Sequence, residues 1–305
     1  MALSLTPLEF ANKYFDMDVY LHPQEVNGNG AAPVAGYTPP TGWKRLRVDN
    51  YRLGASKWDY TFWTKDILPH FNKQPVTVKV KTVTGLVEEY PFRNAQHART
   101  HFHFPWVGKG SPEQAQIAIQ LTYRFRKVST PVEQFVNLDF IGLDCNGFVG
   151  NYIQRVVQGW HWLTADNNVD PGPTTLMSDL LRRQGPENQI DDLDDLASED
   201  IYLLCMCRPD GTVNDPTKQN PTSYGHVMIT EPDTLDEVAA GYRTIDVVEA
   251  TASGKRKLRT LTYTIKSQKK IRPATKVGPG VTVFHVERGS AGEQMDVRIA
   301  RLKVE

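Results

Sequence analysis

The stretch Asp144-Cys145-Asn146-Gly147-Phe148 decides the fold prediction, because it places a thiol at the start of a predicted helix. Apolar residues then recur with the spacing of one helix face: Phe148, Val149, Tyr152, Ile153, Val156 and Val157. Cys145 shares this face, and Asp144 suits the N-cap position because its side chain can accept from the N–H of Gly147. A helix N-terminus favours the thiolate, so the pattern indicates a nucleophile, and a buried structural cysteine is the alternative.

A reactive thiol needs a base, and His226 is the best candidate among the eight histidines. It lies in Tyr224-Gly225-His226-Val227-Met228-Ile229, where a polar loop gives way to a short β-prone run. The neighbouring Gly225 leaves room for another element to approach the ring. The alternative is a half-buried strand histidine that bonds a neighbouring carbonyl group.

A carboxylate that could orient this histidine is found in residues 244–251. Strand alternation places Ile245, Val247 and Glu249 on one face, so the carboxylate points the same way as two core residues. A half-buried carboxylate needs a donor, and an imidazole N–H would supply one. The alternative makes Glu249 an edge-strand residue, with the solvent and core faces of Asp246 and Val248 assigned the other way round.

The order of Cys145, Gly225-His226-Val227 and Val247-Val248-Glu249-Ala250 resembles the NlpC-type cysteine peptidases, a bacterial branch of the papain-like fold. In that family an Asp-Cys-Ser-Gly-Phe motif opens a helix, Gly-His-Val begins a strand, and a polar residue on the next strand completes the triad. The resemblance covers roughly residues 136–254. It implies a papain-like α+β domain, in which an N-terminal helix bearing the cysteine packs on an antiparallel sheet.

The resemblance also implies the site. Cys145, His226 and Glu249 would be catalytic, and Asp144, Asn146 and Phe140 would contact the substrate. Two departures affect specificity: the motif serine is replaced by Asn146, and Phe140 has no hydroxyl where family members usually carry a tyrosine. In the family the motif aspartate and serine help to hold the free amine of a peptidoglycan stem peptide, and Asp144 is retained.

The chain organisation predicts two units. Residues 1–110 would form a smaller, mainly β accessory region with a linker-like segment at 27–42, and residues 111–305 would form the hydrolase domain. A hairpin is predicted from Val76 to Tyr90, a helix over 113–127, and strands over 258–265, 281–286 and 295–304. Four tryptophans fall in the first third, and they fit either a ligand-facing module or an aromatic core.

Composition excludes some partners. Lys+Arg and Asp+Glu both number 35, so charge gives no reason to expect nucleic acid or an anionic membrane as a partner. The first 20 residues carry no apolar run, so neither a Sec signal nor membrane insertion is expected. The expected location is the cytoplasm, or outside it by a non-Sec route. The three cysteines, Cys145, Cys205 and Cys207, are expected to stay reduced, since the last two are too close along one strand for an ordinary disulfide.

No cofactor and no metal is expected. His97, His101 and His103 have a spacing that could bind zinc, but a strand with solvent-facing histidines is the preferred interpretation. The predicted function is hydrolysis of an amide, with peptidoglycan stem peptides as the implied substrate and a thioacyl-enzyme as the intermediate. The alternatives are a thiol acyltransferase or esterase of the same fold, and a catalytically inactive cell-surface or glycan-binding module. The oligomeric state is open.

Overall fold

The structure is a computed structural model, which describes residues 3–25, 40–50, 60–71, 73–125, 132–133, 141–163, 172–213, 225–239, 241–251, 257–272, 280–289 and 292–304. Its α-helices are α1 (Pro7–Phe15), α2 (Tyr60–Phe62), α3 (Leu68–Phe71), α4 (Ala95–Trp106), α5 (Pro112–Phe125), α6 (Cys145–Tyr152) and α7 (Met177–Arg183). Two π-helical turns, Trp63–Ile67 and Ile153–Val157, continue α2 and α6. Short 3-10 turns cover Pro186–Asn188 and Leu193–Asp195.

The strands, in chain order, are β1 (Met17–Leu21), β2 (Gly42–Leu46), β3 (Val76–Lys81), β4 (Val87–Phe92), β5 (Tyr202–Met206), β6 (Val227–Thr230), β7 (Asp236–Ala239), β8 (Tyr242–Ala250), β9 (Leu258–Arg272), β10 (Val281–Arg288) and β11 (Glu293–Arg301). The first four form two separate two-stranded antiparallel sheets, β1-β2 and β3-β4. The strands predicted after Glu249 are confirmed as β9, β10 and β11.

Six antiparallel strands close into a β-barrel. They pair in the order β6-β5-β11-β10-β9-β8, and a further pairing of β6 with β8 completes the ring. In that pairing Ile229 lies opposite Val248, and Thr230 lies opposite Val247. The remaining strand, β7, pairs with the first half of β8 and extends the sheet outside the ring.

This closed barrel shows that the predicted papain-like, NlpC-type α+β fold is wrong. Strand alternation reports which faces of a strand are apolar, but it does not report which strands pair across long sequence distances. Closure depends on the short pairing between β6 and β8, which lie about 20 residues apart in sequence. The nine-residue β8 makes closure possible, because its first half pairs with β7 and its second half pairs with β6.

The barrel wall separates two hydrophobic cores. The inner core consists of side chains from the strands and one preceding residue: Ile190, Tyr202, Leu204, Met228, Ile245, Val247, Tyr263, Ile265, Phe284, Val286, Val297 and Ile299. The alternate residues of the same strands, such as Val227, Val248 and Ala250, belong to the outer core. Both faces of β8 are therefore buried near its end, which is unusual for a strand with polar residues.

Helix α6 packs on the outside of the barrel against β6 and β8. The helix predicted from the Cys145 motif is confirmed, and its apolar face belongs to the outer core through Phe148, Val149 and Tyr152. The predicted N-cap is confirmed as well, since the side chain of Asp144 accepts from the N–H of Gly147. The helix predicted over 113–127 is confirmed as α5.

The first 110 residues are not mainly β as predicted. Helices α1, α2, α3 and α4 lie there beside the two hairpin sheets. The predicted hairpin itself is confirmed, because β3 pairs with β4 from Val76–Phe92 to Lys81–Val87. The alternation of histidines with apolar residues in Ala95–Trp106 wrongly indicated a strand. Asn94 caps this segment, which forms helix α4.

Helix α5 lies along the free edge of β3 and bonds its backbone through side chains. Gln116 accepts from the N–H of Lys81 at 2.8 Å and donates to its carbonyl at 2.7 Å. Gln120 does the same at Lys79, at 3.1 and 2.7 Å. Glu113 accepts from the N–H of Val83 at 3.0 Å. Three side chains on one helix face thus occupy the position of a third strand.

Contacts cross the predicted boundary at residue 110. The rings of Phe10 and Phe148 lie 5.8 Å apart, and those of Phe10 and Tyr152 lie 5.6 Å apart. The hydroxyl of Tyr152 donates to the carbonyl of Leu5 at 3.0 Å. The linker predicted at 27–42 falls mostly outside the described residues, although Gly42 begins β2. The division into units 1–110 and 111–305 therefore stays a prediction about folding, with one core shared across it.

We expect a fragment of residues 111–305 to unfold at a lower temperature than the full chain, because removal of α1 exposes Phe148 and Tyr152. Exposure of each large apolar side chain costs about 2 kcal/mol, which is a large part of a typical domain's stability. Thermal unfolding of the two proteins, followed by circular dichroism, tests this. Equal unfolding temperatures would show that the first 110 residues are an independent unit.

Candidate active site

The nucleophile candidate lies at a firmly held helix start. The carboxylate of Asp144 accepts from the N–H of Gly147 at 2.6 Å, and the ammonium of Lys109 lies 2.8 and 2.7 Å from its two oxygens. Burial raises the pKa of Asp144, against the lowering effect of Lys109 and of the Gly147 N–H. The cap is therefore a buried ion pair as well as a hydrogen bond.

Gly147 allows this helix start to approach the preceding loop. A Cβ at this position would lie 1.9 Å from the carbonyl oxygen of Gly108, which no side chain tolerates. The same carbonyl accepts from the N–H of Asp144 at 3.0 Å. The glycine in the motif is therefore required by packing, and it places Cys145 where only 7% of the residue is exposed.

His226 lies directly before β6, at the rim of the barrel. Its carbonyl accepts from the N–H of Met206 at 2.8 Å, which continues the β5–β6 pairing by one residue. The imidazole Nε2 is 2.8 Å from Oε2 of Glu249. The Cys145 thiol is the other neighbour that raises the pKa of the ring, so His226 has the carboxylate and the thiol as its partners.

Glu249 is fully buried inside the end of the barrel and has four side-chain partners. Its Oε2 accepts from the Tyr263 hydroxyl at 2.8 Å, in addition to the contact with His226. Its Oε1 accepts from Nε of Arg259 at 3.0 Å and from Nε and Nη2 of Arg288 at 3.0 and 2.5 Å. The prediction that Glu249 shares a face with Ile245 and Val247 is confirmed, because all three point into the barrel.

The pKa values of the pair shift in opposite directions. Burial alone raises the pKa of Glu249, but the hydrogen bond and charge of His226 and the charge of Arg288 outweigh it and lower the pKa to about 2. Burial alone lowers the pKa of His226, but hydrogen bonds to Cys145 and Glu249 outweigh it and raise the pKa to about 9. The geometry therefore favours a buried carboxylate next to an imidazolium at neutral pH.

The structure brings the three predicted catalytic residues together. Of the predicted substrate-binding residues, Asn146 and Asp144 already bond protein groups. Asn146 accepts weakly from the Cys145 thiol at 3.6 Å and donates to the carbonyl of Thr175 at 2.8 Å. Asp144 is already neutralised by Lys109, so a substrate amine would have to displace that ammonium. Phe140 lies outside the described residues.

Sequence reasoning missed the residues that surround Glu249 and Asp144. Tyr263, Arg259 and Arg288 come from β9 and β10, and Lys109 precedes α5. Alternation along β10 could have placed Arg288 on the inner face together with Phe284 and Val286. The signal for Lys109 is weaker, because its partner lies 35 residues away in a different element.

The histidines proposed as a zinc alternative lie on helix α4. Nε2 of His97 and Nε2 of His101 are 3.1 Å apart, and burial lowers the pKa of His101 to about 3. The strand predicted for these histidines is wrong, and His101 is buried instead of solvent-facing. Within the described ranges, no group of three His, Cys, Asp or Glu side chains could hold a metal ion.

The other two cysteines are free thiols, as predicted. Cys205 lies in the outer core, and its thiol faces the carbonyl of Met177 at 3.8 Å. Burial and the nearby charge of Asp296 raise the pKa of Cys207 to about 12. Cys205 lies on β5 and Cys207 directly follows that strand, so neither thiol is at a helix start and both are suitable internal controls.

We expect the stability difference between the wild type and Glu249→Gln to depend on pH. The pKa of Glu249 is about 2 in the folded protein and 4.5 in the unfolded chain. The carboxylate therefore stabilises the fold fully above pH 4.5. This stabilisation is lost as the pH falls through 2, and the difference should narrow by about 3 kcal/mol over that window. Urea unfolding at several pH values from 6 downward measures it. A difference that stays constant below pH 4.5 would contradict the ionised, donor-saturated carboxylate.

Comparison with family models, with curated proteins and with solved structures finds no match for this chain. Among the helices of the described residues, none is long and apolar enough to cross a membrane. The assignment of the site therefore depends on the geometry of Cys145, His226 and Glu249 and on the resemblance of their motifs to the NlpC-type peptidases.

Proposed function

We propose that this protein is a cysteine-dependent amide hydrolase that acts through a thioacyl-enzyme. The observation that carries the proposal is the convergence of Cys145 and Glu249 on His226, with Glu249 bonded to the imidazole at 2.8 Å and Cys145 close enough to raise its pKa. These residues come from a helix, from the position before β6 and from β8, and they lie up to 104 positions apart in the sequence. Nucleophilic catalysis by a thiol needs this set of groups: a base that contacts the thiol and a third group that orients the base.

Each residue has one role in the proposed reaction. His226 holds the proton of the Cys145 thiol as an imidazolium, and the thiolate sulfur attacks the amide carbonyl carbon to form a tetrahedral intermediate. The intermediate collapses as His226 protonates the leaving amine, which leaves a thioester on Cys145. Water, deprotonated by His226, then attacks the thioester and releases the acid and the free thiol. Glu249 stays ionised throughout and holds the imidazole in the required tautomer.

The oxyanion has a donor at the helix start. Gly147 and Phe148 donate their backbone N–H groups to Asp144, at 2.6 and 3.0 Å. Within the described residues, no acceptor binds the backbone N–H of Cys145. This N–H belongs to the first turn, where the helix itself offers no partner, so we assign it to the oxyanion.

Peptidoglycan stem peptides are the substrate class that the motif resemblance favours. Free-amine recognition would be altered, because Lys109 neutralises Asp144 and Asn146 replaces the family serine. Digestion of purified peptidoglycan and of synthetic stem peptides, followed by mass spectrometry, identifies the bond that is cleaved. Transfer of the acyl group to an added amine instead of water would identify an acyltransferase, and binding without turnover would identify a binding module.

Cys145 should react with iodoacetamide at pH 6.5 much faster than Cys205 and Cys207. A helix start and an imidazolium both favour the thiolate of Cys145, whereas burial raises the pKa of Cys207 and Cys205 lies on a strand in the outer core. Peptide mapping after brief labelling measures all three in one sample. His226→Ala should slow the alkylation of Cys145 by at least about tenfold. A rate for Cys145 that does not depend on His226 would make this thiol structural, and the proposed function would fail.

Glu249→Ala should reduce kcat/KM less than His226→Ala, because the base transfers a proton in each step whereas the carboxylate only orients and stabilises it. Loss of a general base typically costs on the order of 100- to 10,000-fold. The measurement uses the amide substrate identified by mass spectrometry, with circular dichroism as the control for folding. Equal losses in two folded variants would leave the roles of base and orienting group unsupported.

A further inference from the structure

We propose that Arg288, together with Tyr263, is a positioning residue that sets the orientation of Glu249 and thereby the reactivity of the Cys145–His226 pair. This inference rests on the proposed function and deepens it, because it names what controls the site. Their side chains bond Glu249 at both of its oxygens. Both act through the carboxylate inside the barrel.

Arg288 holds one carboxylate oxygen at two points. Its Nε and Nη2 lie 3.0 and 2.5 Å from Oε1 of Glu249, and its side chain is 4% exposed. A third nitrogen, Nη1, donates to Glu293 at 3.1 Å, so the guanidinium plane is itself held from the other side. Because the guanidinium is held at Glu293 as well, it fixes the position of Oε1.

Tyr263 holds the other oxygen. Its hydroxyl donates to Oε2 at 2.8 Å, the same oxygen that faces Nε2 of His226 at 2.8 Å. Burial, followed by the charge of Glu249, raises the pKa of Tyr263, so the phenol stays protonated and remains a donor. With Oε1 bound to Arg288 and Oε2 bound to Tyr263, the lone pair of Oε2 that remains points at the imidazole.

Charge and geometry make different demands on Arg288. The positive charge alone would be supplied by lysine, whereas the two-point contact needs the fork of a guanidinium. Arg259 bonds Glu249 through Nε, and its side chain is 27% exposed. It therefore supplies positive charge at the end of the barrel through one hydrogen bond. Among the described residues, the side chains that act on Glu249 and His226 include Arg259, Arg288, Tyr263 and Cys145.

The experiment measures the rate of Cys145 alkylation by iodoacetamide against pH, which needs no substrate. The variants are Arg288→Lys, Arg288→Met and Tyr263→Phe. If Arg288 and Tyr263 position Glu249, all three variants should react roughly 3- to 10-fold more slowly than the wild type at pH 6.5. The pH of half-maximal rate on the acid limb should move upward by about half a unit to one unit.

Tyr202→Phe is the matched control. Tyr202 is also a fully buried tyrosine of the inner core, but its hydroxyl bonds Ala197 and Asp200 at the opposite end of the barrel. It should lower the unfolding temperature about as much as Tyr263→Phe and leave the alkylation profile unchanged. A profile shift as large in Tyr202→Phe would show that the effect is one of general stability, and the proposal would be overturned.

Two further outcomes separate this proposal from the proposed function. If wild-type Cys145 reacts quickly and depends on His226, but Arg288→Lys matches the wild type, Arg288 supplies charge only and the positioning role fails alone. The same holds if Tyr263→Phe reacts faster than the wild type, since the hydroxyl would then weaken the carboxylate instead of holding it. If wild-type Cys145 shows no dependence on His226, the proposed function fails and this inference fails with it.

Discussion

The fully buried carboxylate of Glu249 is the constraint on which the rest of the site depends. A buried charge destabilises a protein by several kcal/mol unless its hydrogen bonds are complete. Here the donors come from β9, from β10 and from the residue before β6, while Glu249 itself is on β8. The same bonds that satisfy the charge therefore hold the end of the barrel together. The fold and the geometry of the candidate site therefore depend on the same hydrogen bonds at this end of the barrel.

The barrel wall separates the carboxylate of the proposed site from its thiol. The carboxylate lies inside with Tyr263 and Arg288, whereas the thiol lies outside on helix α6. His226 connects them because it precedes β6 at the rim, where a side chain can contact both sides. This arrangement places His226 between the buried anion and the thiol. An imidazole with a pKa of about 9 follows directly from that division, because its negative neighbours outweigh the cost of burial.

Structural features set by neighbouring residues could be predicted from the sequence, and contacts between distant residues could not. Asp144 and Gly147 are three residues apart, and their capping interaction follows from the chemistry of one helix turn. Alternation along β8 placed Glu249 on the core side because strand period is also local. Barrel closure was missed, since it depends on which strands meet. Arg288 was missed because it lies 39 residues from Glu249 in sequence. His97 and His101 misled because alternating apolar residues imitate a strand within helix α4.

The side-chain bonds between α5 and β3 have a geometric basis that links the hairpin to helix α6, which carries Cys145. Four residues of helix rise about 6 Å, and two residues of strand rise about 6.6 Å, so Gln116 and Gln120 stay in step with Lys81 and Lys79. A slip of the hairpin by one residue would break all of these bonds together, so only one alignment satisfies them. Glu113 connects the hairpin to helix α6. Its Oε1 accepts from the N–H of Val83 and, at 2.7 Å, from the guanidinium of Arg155, which lies just after helix α6. The alignment of the hairpin therefore also restrains where helix α6, with Cys145 at its start, lies along its own axis.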